Sequence, residues 1–317
     1  MKDEKVLEVF NREILSVFPK NISSTLSNLH KNDILGLEEI RLRVNRPLVI
    51  SVKGRDFYLS KNGNISSMAK GDFIVDKKDI EKTLQLMTDF SIYAVEEEIK
   101  QGFITLKGGH RVGVVGRVVY EENKIKTVRN LSGMNIRVAR EVKDCSLSLL
   151  KRLYEDDIKH TLIISPPGCG KTTLLRDMIR NLSNGNLNIN LKSYKVGIVD
   201  ERSEIAGCFM GIPQKDIGDK TDVLDACPKA QGMIMLLRSM SPDIIAVDEI
   251  GSIEDVSAIE NAINSGVKVL ATIHGKDIDE IYKKASIKSL VENNCFEKMV
   301  LLSRKKGPGT IEKIISI

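Results

Sequence analysis

Residues 161–179 read TLIISPPGCGKTTLLRDMI, and this stretch decides the fold of the second half of the chain. An apolar run, a Pro/Gly turn, the triplet Gly170-Lys171-Thr172 and an amphipathic helical pattern follow one another directly. That order of strand, turn and helix is what phosphate binding requires. Backbone N–H groups of the loop and of the helix start can surround an anion, and the helix dipole favours it. The loop residues Ser165, Pro166, Pro167, Gly168, Cys169, Gly170, Lys171, Thr172 and Thr173 are therefore candidate nucleotide ligands. Ser165 stands where the usual pattern has its first glycine. In this reading Lys171 reaches the β and γ phosphates, and the Thr172 hydroxyl ligates Mg²⁺.

Downstream, SPDIIAVDEIG (241–251) supplies a buried apolar strand that ends in Asp248 and Glu249. A carboxylate there can hold the water shell of Mg²⁺, so Asp248 joins Thr172 as a metal candidate. The next carboxylate can orient or deprotonate an attacking water. KVGIVDERSEI (195–205) ends in a second acidic pair, Asp200 and Glu201, with Arg202 and Glu204 beyond. Glu249 and Glu201 both remain candidates for the general base. VKVLATIH (267–274) ends in His274, a candidate sensor of the γ-phosphate. Together the motifs point to ATP hydrolysis with Mg²⁺. Met233, Met235 and Met240 read as core packing on the helix before SPD.

Around these motifs, strands expected at 161–165, 195–200, 244–248 and 267–273 alternate with helices at 171–182, 229–240, 253–265 and 278–292. Alternation of this kind specifies an α/β domain with a mainly parallel sheet and flanking helices. The polar stretch 183–194 reads as a surface loop, and the chain ends in a hairpin about Gly307-Pro308-Gly309. The first half differs. Helices are expected at 4–18, 79–89 and 91–102, two short strands over 37–52, and several antiparallel strands from 103 to 140 turning at Gly108-Gly109 and at EEN (121–123). The chain thus divides into a small α+β domain, 1–145, and the α/β domain, 146–317.

Composition sets limits on function. The 317 residues carry a net charge of +5 spread along the chain, with 42% hydrophobic residues and no tryptophan. No basic tract or aromatic platform supports nucleic-acid binding, so none is expected. Five cysteines without CxxC spacing suit a reducing compartment. The N-terminal stretch reads as an amphipathic helix rather than a signal peptide. No uncharged apolar run approaches the roughly 20 residues of a membrane span. A cytoplasmic protein without an integral membrane segment is expected.

The succession of phosphate loop, VDERSE, SPD with IIAVDEIG, and VLATIH resembles the secretion ATPases of type II and type IV pilus systems. Within that superfamily, YAVEEEIKQGFITLKGGHRVGVVGR (93–117), NIRVAREV (135–142), ISPPGCGKTTLLRD (164–177) and DVLDACPKAQGMIMLLRSMSPDIIAVDEIG (222–251) resemble the stage III sporulation protein AA family of endospore formers. The resemblance implies a RecA-like P-loop NTPase domain behind a PAS-like N-terminal domain. It also implies a homo-hexameric ATPase on the mother-cell side of the channel to the forespore, peripheral to the membrane and partnered by the channel's membrane proteins. Arginines of the N-terminal domain would complete the site across a subunit boundary. Arg111, Arg117, Arg137 and Arg140 are the positions that look similar, and Arg238 is a further candidate. Two departures are visible: Asp248-Glu249 stands where many secretion ATPases have Gly-Glu, and there is no tetracysteine module. A RecA-like motor acting on nucleic acid and a nucleotide-gated scaffold with little turnover are the alternative readings.

Overall fold

A computed structural model describes residues 2–69, 71–89, 91, 95–121 and 124–317. The chain forms two compact units, Met1–Arg140 and Glu141–Ile317. The division falls before residue 145 because residues 138–140 still bind the first unit. Val138 N–H donates to the Glu38 carbonyl (2.8 Å), and Arg140 donates to the Leu37 carbonyl (2.7 Å). Residues 144 and 146 instead donate their backbone N–H groups to Asp177 of the second unit, at 2.9 and 2.8 Å.

The first unit is built on an antiparallel sheet. Its strands are β1 (Leu37–Arg43), β3 (Val49–Val52), β4 (Arg55–Leu59), β5 (Ile65–Ser66), β7 (Phe103–Thr105), β8 (Arg111–Glu121) and β9 (Lys124–Arg137), in the order β5-β4-β3-β1-β9-β8-β7. A separate two-stranded ribbon pairs β2 (Arg46–Pro47) with β6 (Ile74–Val75). Alternation along the strands sorts the two faces. Ile40, Leu42, Ile50, Val112, Met134 and Ile136 enter the core, where they meet Phe10, Ile14, Phe18, Ile22 and Ile80. The expected first helix is α1 (Lys2–Val9), continued by a π turn (Phe10–Ile14) and a 3₁₀ turn (Leu15–Val17). Short helices α2 (Lys20–Ser27) and α3 (Lys31–Gly36) follow, unforeseen in the sequence. Helix α4 (Lys77–Met87) starts at a reciprocal Asp76–Asp79 capping box. Of the helix expected over 91–102, α5 (Glu96–Lys100) forms. Residues 92–94, and 122–123 of the expected EEN turn, lie outside the described residues.

In the second unit, β10 (Thr161–Ser165), β11 (Val196–Asp200), β12 (Thr221–Asp225), β13 (Ile244–Val247) and β14 (Lys268–His274) are parallel. β15 (Lys298–Ser303) is parallel to β10, and β16 (Thr310–Ser316) returns antiparallel to β15. The order is β12-β11-β13-β14-β10-β15-β16. Every residue of β10, β11 and β13 is buried, as a sheet covered on both faces requires. Alternate side chains feed opposite layers. Ile163, Ile198, Ile244 and Ala246 pack with α6 (Leu147–Leu153) and α7 (Lys171–Asn184). Leu162, Val199, Ile245 and Val247 pack with α8 (Lys229–Ser239), α9 (Ile253–Asn264), α10 (Ile278–Tyr282) and α11 (Lys288–Glu292). A Cβ on Gly232 of α8 would lie 2.4 Å from Cγ1 of Val199, so the missing side chain sets how closely α8 lies on β11.

Three expectations are corrected. The helix expected over 278–292 is two short helices. Ile281 and Ile287 are both fully buried in one core, although six residues would put them about 120° apart around a single helix, and the chain turns between them. Helix α7 runs on to Asn184, and the stretch after it is anchored by buried Leu191 and Tyr194 rather than lying wholly on the surface. Met233 is buried, but Met235 and Met240 are 51% and 42% exposed, because Met235 lies about 160° around α8 from Met233 and Met240 follows the last helical residue, Ser239.

Candidate nucleotide site

β10 delivers the chain into the loop at Ser165, which is fully buried and belongs to the strand. Its carbonyl accepts from Gly275 N–H (3.1 Å), and its hydroxyl donates to the Pro166 carbonyl (2.9 Å). A strand residue needs no left-handed backbone, which is why serine replaces glycine there without cost to the loop. The left-handed conformations come later, at Gly168 (φ 67°) and Gly170 (φ 87°), where side chains would be strained. Gly170 caps α7, and Lys171, Thr172 and Thr173 form its first turn. Pro167 and Gly168 are exposed at the crown of the loop, whereas Cys169 and the Lys171 side chain are buried.

The strand order places β14 between β13 and β10, and this brings two hydroxyls onto one carboxylate. Thr172 Oγ1 donates to Asp248 Oδ2 at 2.6 Å. Thr272, fully buried on β14, donates its hydroxyl to Asp248 Oδ1 and accepts the Glu249 N–H at 2.9 Å. Glu249 follows with a left-handed backbone (φ 52°), a costly conformation for a residue with a long side chain. Its carboxylate lies 3.7 Å from Lys171 Nζ and 3.3 Å from Arg202. Thr272 is the site residue that the sequence did not reveal.

The acidic end of β11 is organised differently. Asp200 is buried and accepts the backbone N–H groups of Glu204, Ile205 and Ala206 at 2.8, 3.0 and 2.8 Å. Burial pushes its carboxyl above the ordinary range, against the pull of those three hydrogen bonds. Asp200 therefore orders the loop through these three hydrogen bonds. Glu201 is engaged by Lys229, the first residue of α8. Arg176 of α7 closes the same loop from below by donating to the carbonyls of Glu204 and Ile205. Glu201, Arg202, Asp248 and Glu249 line one cleft.

His274 is exposed at the end of β14, beside Ser165 in the strand register. Arg238 is exposed near the end of α8. The other four candidate arginines belong to the first unit. Arg111 and Arg137 are cross-strand neighbours, and Arg117 pairs with Arg129 farther along the same ladder. Arg137 lies 3.5 Å from Glu39, Arg111 stacks on the Phe103 ring, and Arg140 is turned back onto the Leu37 carbonyl.

Mg²⁺ fits the second unit on the chemistry of its donors. It prefers oxygen ligands, keeps several waters and takes only one or two carboxylates besides substrate phosphates. Thr172 and Asp248 offer that set. Among the described residues no cluster of three or more His, Cys, Asp or Glu side chains forms a separate metal cage. No helix among them is long and apolar enough to cross a membrane.

A covered parallel sheet, a strand inserted between the two motif strands and a loop opening α7 define a RecA-like P-loop fold of the secretion-ATPase type. The pilus retraction motor PilT with bound ADP superposes with a TM-score of 0.55, over 91% of this chain and 77% of that one, at 19% identity. The Legionella pneumophila ATPase DotB gives 0.55 at 16% identity, over 86% and 73%. The sequence signature of the family described as sporulation stage III, protein AA matches residues 9–316, and the chain belongs to that family. Stage III sporulation protein AA of Bacillus subtilis (strain 168) is 44% identical over 302 residues, covering 95% of this chain and 94% of the relative.

Proposed function

We propose that the chain is a Mg²⁺-dependent ATP hydrolase of motor type, serving transport or assembly at the channel between mother cell and forespore. The observation that carries this reading is the Thr172–Asp248 contact of 2.6 Å, with buried Lys171 and exposed Glu249 beside it. Loop N–H groups and Lys171 bind the phosphates. Thr172 and Asp248 would hold Mg²⁺, which would supply charge neutralisation at the phosphates when bound. Glu249 takes the proton of the attacking water. Glu201 is the weaker base because Lys229 already occupies its carboxylate. His274, at the carboxyl end of the neighbouring strand, senses the γ-phosphate.

The arginines of the first unit complete the site of a neighbouring copy in a homo-hexamer. Arg111 and Arg137 are the best placed for this, because they share the polar sheet face with Arg41 and Glu39. Arg140 is the least suited, being held by the Leu37 carbonyl. The hexamer works from the cytoplasm of the mother cell and attaches peripherally through membrane partners of the channel.

Phosphate release measured across protein concentration, alongside the oligomer mass, tests the proposal. Specific activity should rise with assembly, since an arginine supplied in trans contributes roughly 10³–10⁵ in rate. Glu249→Gln should lower turnover by about 10²–10⁴ while ATP still binds. Turnover unchanged in Glu249→Gln would remove Glu249 as the base, and activity independent of assembly would sink the shared site.

A further inference from the structure

The C-terminal hairpin rests on the phosphate loop. Gly309 N–H donates to the Cys169 carbonyl at 2.7 Å, and a Cβ on Gly170 would lie 3.2 Å from Gly309 N and 3.5 Å from Pro308 Cβ. The turn is itself fixed, with Thr310 Oγ1 donating to the Gly307 carbonyl (2.7 Å) and accepting Lys306 N–H (3.2 Å). Three basic residues enter this turn, and they are not equivalent. Lys305 is paired with Glu312 at 2.9 Å. Lys306 and Arg304 are exposed, and of the two it is Arg304 that reaches the loop: a Cβ on Gly168 would lie 3.5 Å from its Nη1. Arg304 has no acidic partner among the described residues.

An unpaired guanidinium beside a loop that already carries Lys171 and the positive end of α7 sits in a repulsive field, which an anion in the loop would reverse. A planar guanidinium is also suited to phosphate oxygens. We propose that Arg304 binds the phosphate chain of the loop's nucleotide from within the same subunit, the β15–β16 turn acting as a wall of the site. The proposal rests on the nucleotide-site reading above and adds a cation that no motif assigns. It also separates two arginine roles: one in cis that acts on affinity, and others in trans that act on rate.

The test is calorimetric titration of the full chain with ADP, with the non-hydrolysable analogue AMP-PNP and with adenosine. Wild type, Arg304→Ala and Arg304→Lys are compared. Arg304→Ala should weaken AMP-PNP and ADP by about ten- to a hundredfold, the loss expected for a hydrogen bond to a charged group. Arg304→Lys should recover part of this, and adenosine should bind all three proteins equally. Because Arg304 is exposed, melting of the free protein should not change. Equal AMP-PNP affinity in wild type and Arg304→Ala overturns the proposal while leaving the nucleotide site standing. An equal loss for adenosine overturns it too, since the contact would then be to the nucleoside. Failure of wild type to bind AMP-PNP at all removes the underlying site.

Discussion

Replacing Thr272 by valine keeps the shape of a fully buried side chain and removes one hydroxyl with two hydrogen bonds. The bond to the Asp248 carboxylate is worth about 1.5–3 kcal/mol, as for hydrogen bonds to charged groups. The Glu249 N–H loses its acceptor as well, but Glu249 is exposed and water can replace part of that bond. A destabilisation of about 2–3 kcal/mol follows, which for a unit of this size lowers the melting temperature by about 4–12 °C. The functional effect is separate. With Thr272 gone, Asp248 is oriented by Thr172 alone, and under the proposed function that hydroxyl would also have to serve as the second metal ligand. Loss of an orienting partner behind a metal ligand lowers affinity by about 10–100-fold. The half-saturating Mg²⁺ concentration for phosphate release should therefore rise by that factor in Thr272→Val, and Thr272→Ser should stay near wild type. A Thr272→Val protein that melts earlier but keeps the wild-type Mg²⁺ dependence would refute the orienting role and leave only a packing role.

Two further outcomes concern the second unit as a folded body. Gly232→Ala puts a methyl 2.4 Å from Val199 Cγ1 and 3.1 Å from Cys227 Sγ. Overpacking of about 1–3 kcal/mol should exceed the roughly 1 kcal/mol gained in helix propensity, so the melting temperature should fall; a rise would show that α8 can shift freely on β11. Asp177 is buried, and burial alone would raise its carboxyl. The N–H and hydroxyl of Ser146 and the Arg180 guanidinium outweigh that and hold it below the ordinary range. A depressed carboxyl contributes stability that is complete above its unfolded value, about 3.9, and is lost as pH falls through the lower folded value. Asp177→Asn should therefore be less stable than wild type at pH 7, with the gap narrowing below about pH 4 in urea titrations. A gap that stays constant to pH 2 would contradict the network.

The strands that carry the motifs were legible because sheets buried on both faces produce uninterrupted apolar runs, and β10, β11 and β13 have no exposed residue to break the pattern. β12 was not legible. It is an edge strand whose five residues are all half-buried, so TDVLD shows neither a continuous run nor alternation. Lys229 and Glu201 are similarly far apart in sequence and meet because α8 starts beside the end of β11. In the first unit, the paired strands over 37–52 could be read locally, but the neighbourship of β1 and β9 spans nearly the whole unit and has no local signal.

Thr272 makes the same point inside the site. On the page of sequence it is one β-branched residue in VKVLATIH, indistinguishable from a residue chosen for strand propensity. Its hydroxyl acquires a role because β14 lies between the strand that ends in Asp248 and the strand that leads to Thr172. Arg304 depends on topology in the same way: β15 is the other neighbour of β10, so the turn that follows β15 must emerge next to the phosphate loop. The two strands flanking β10 thus lead to one polar side chain each beside the site: Thr272 on β14, which holds Asp248, and Arg304 after β15, which lies beside Gly168 of the loop. Residues that make the chemistry possible were visible as motifs at strand ends. Residues that orient and complete them follow from which strands are neighbours, and only the folded sheet fixes that.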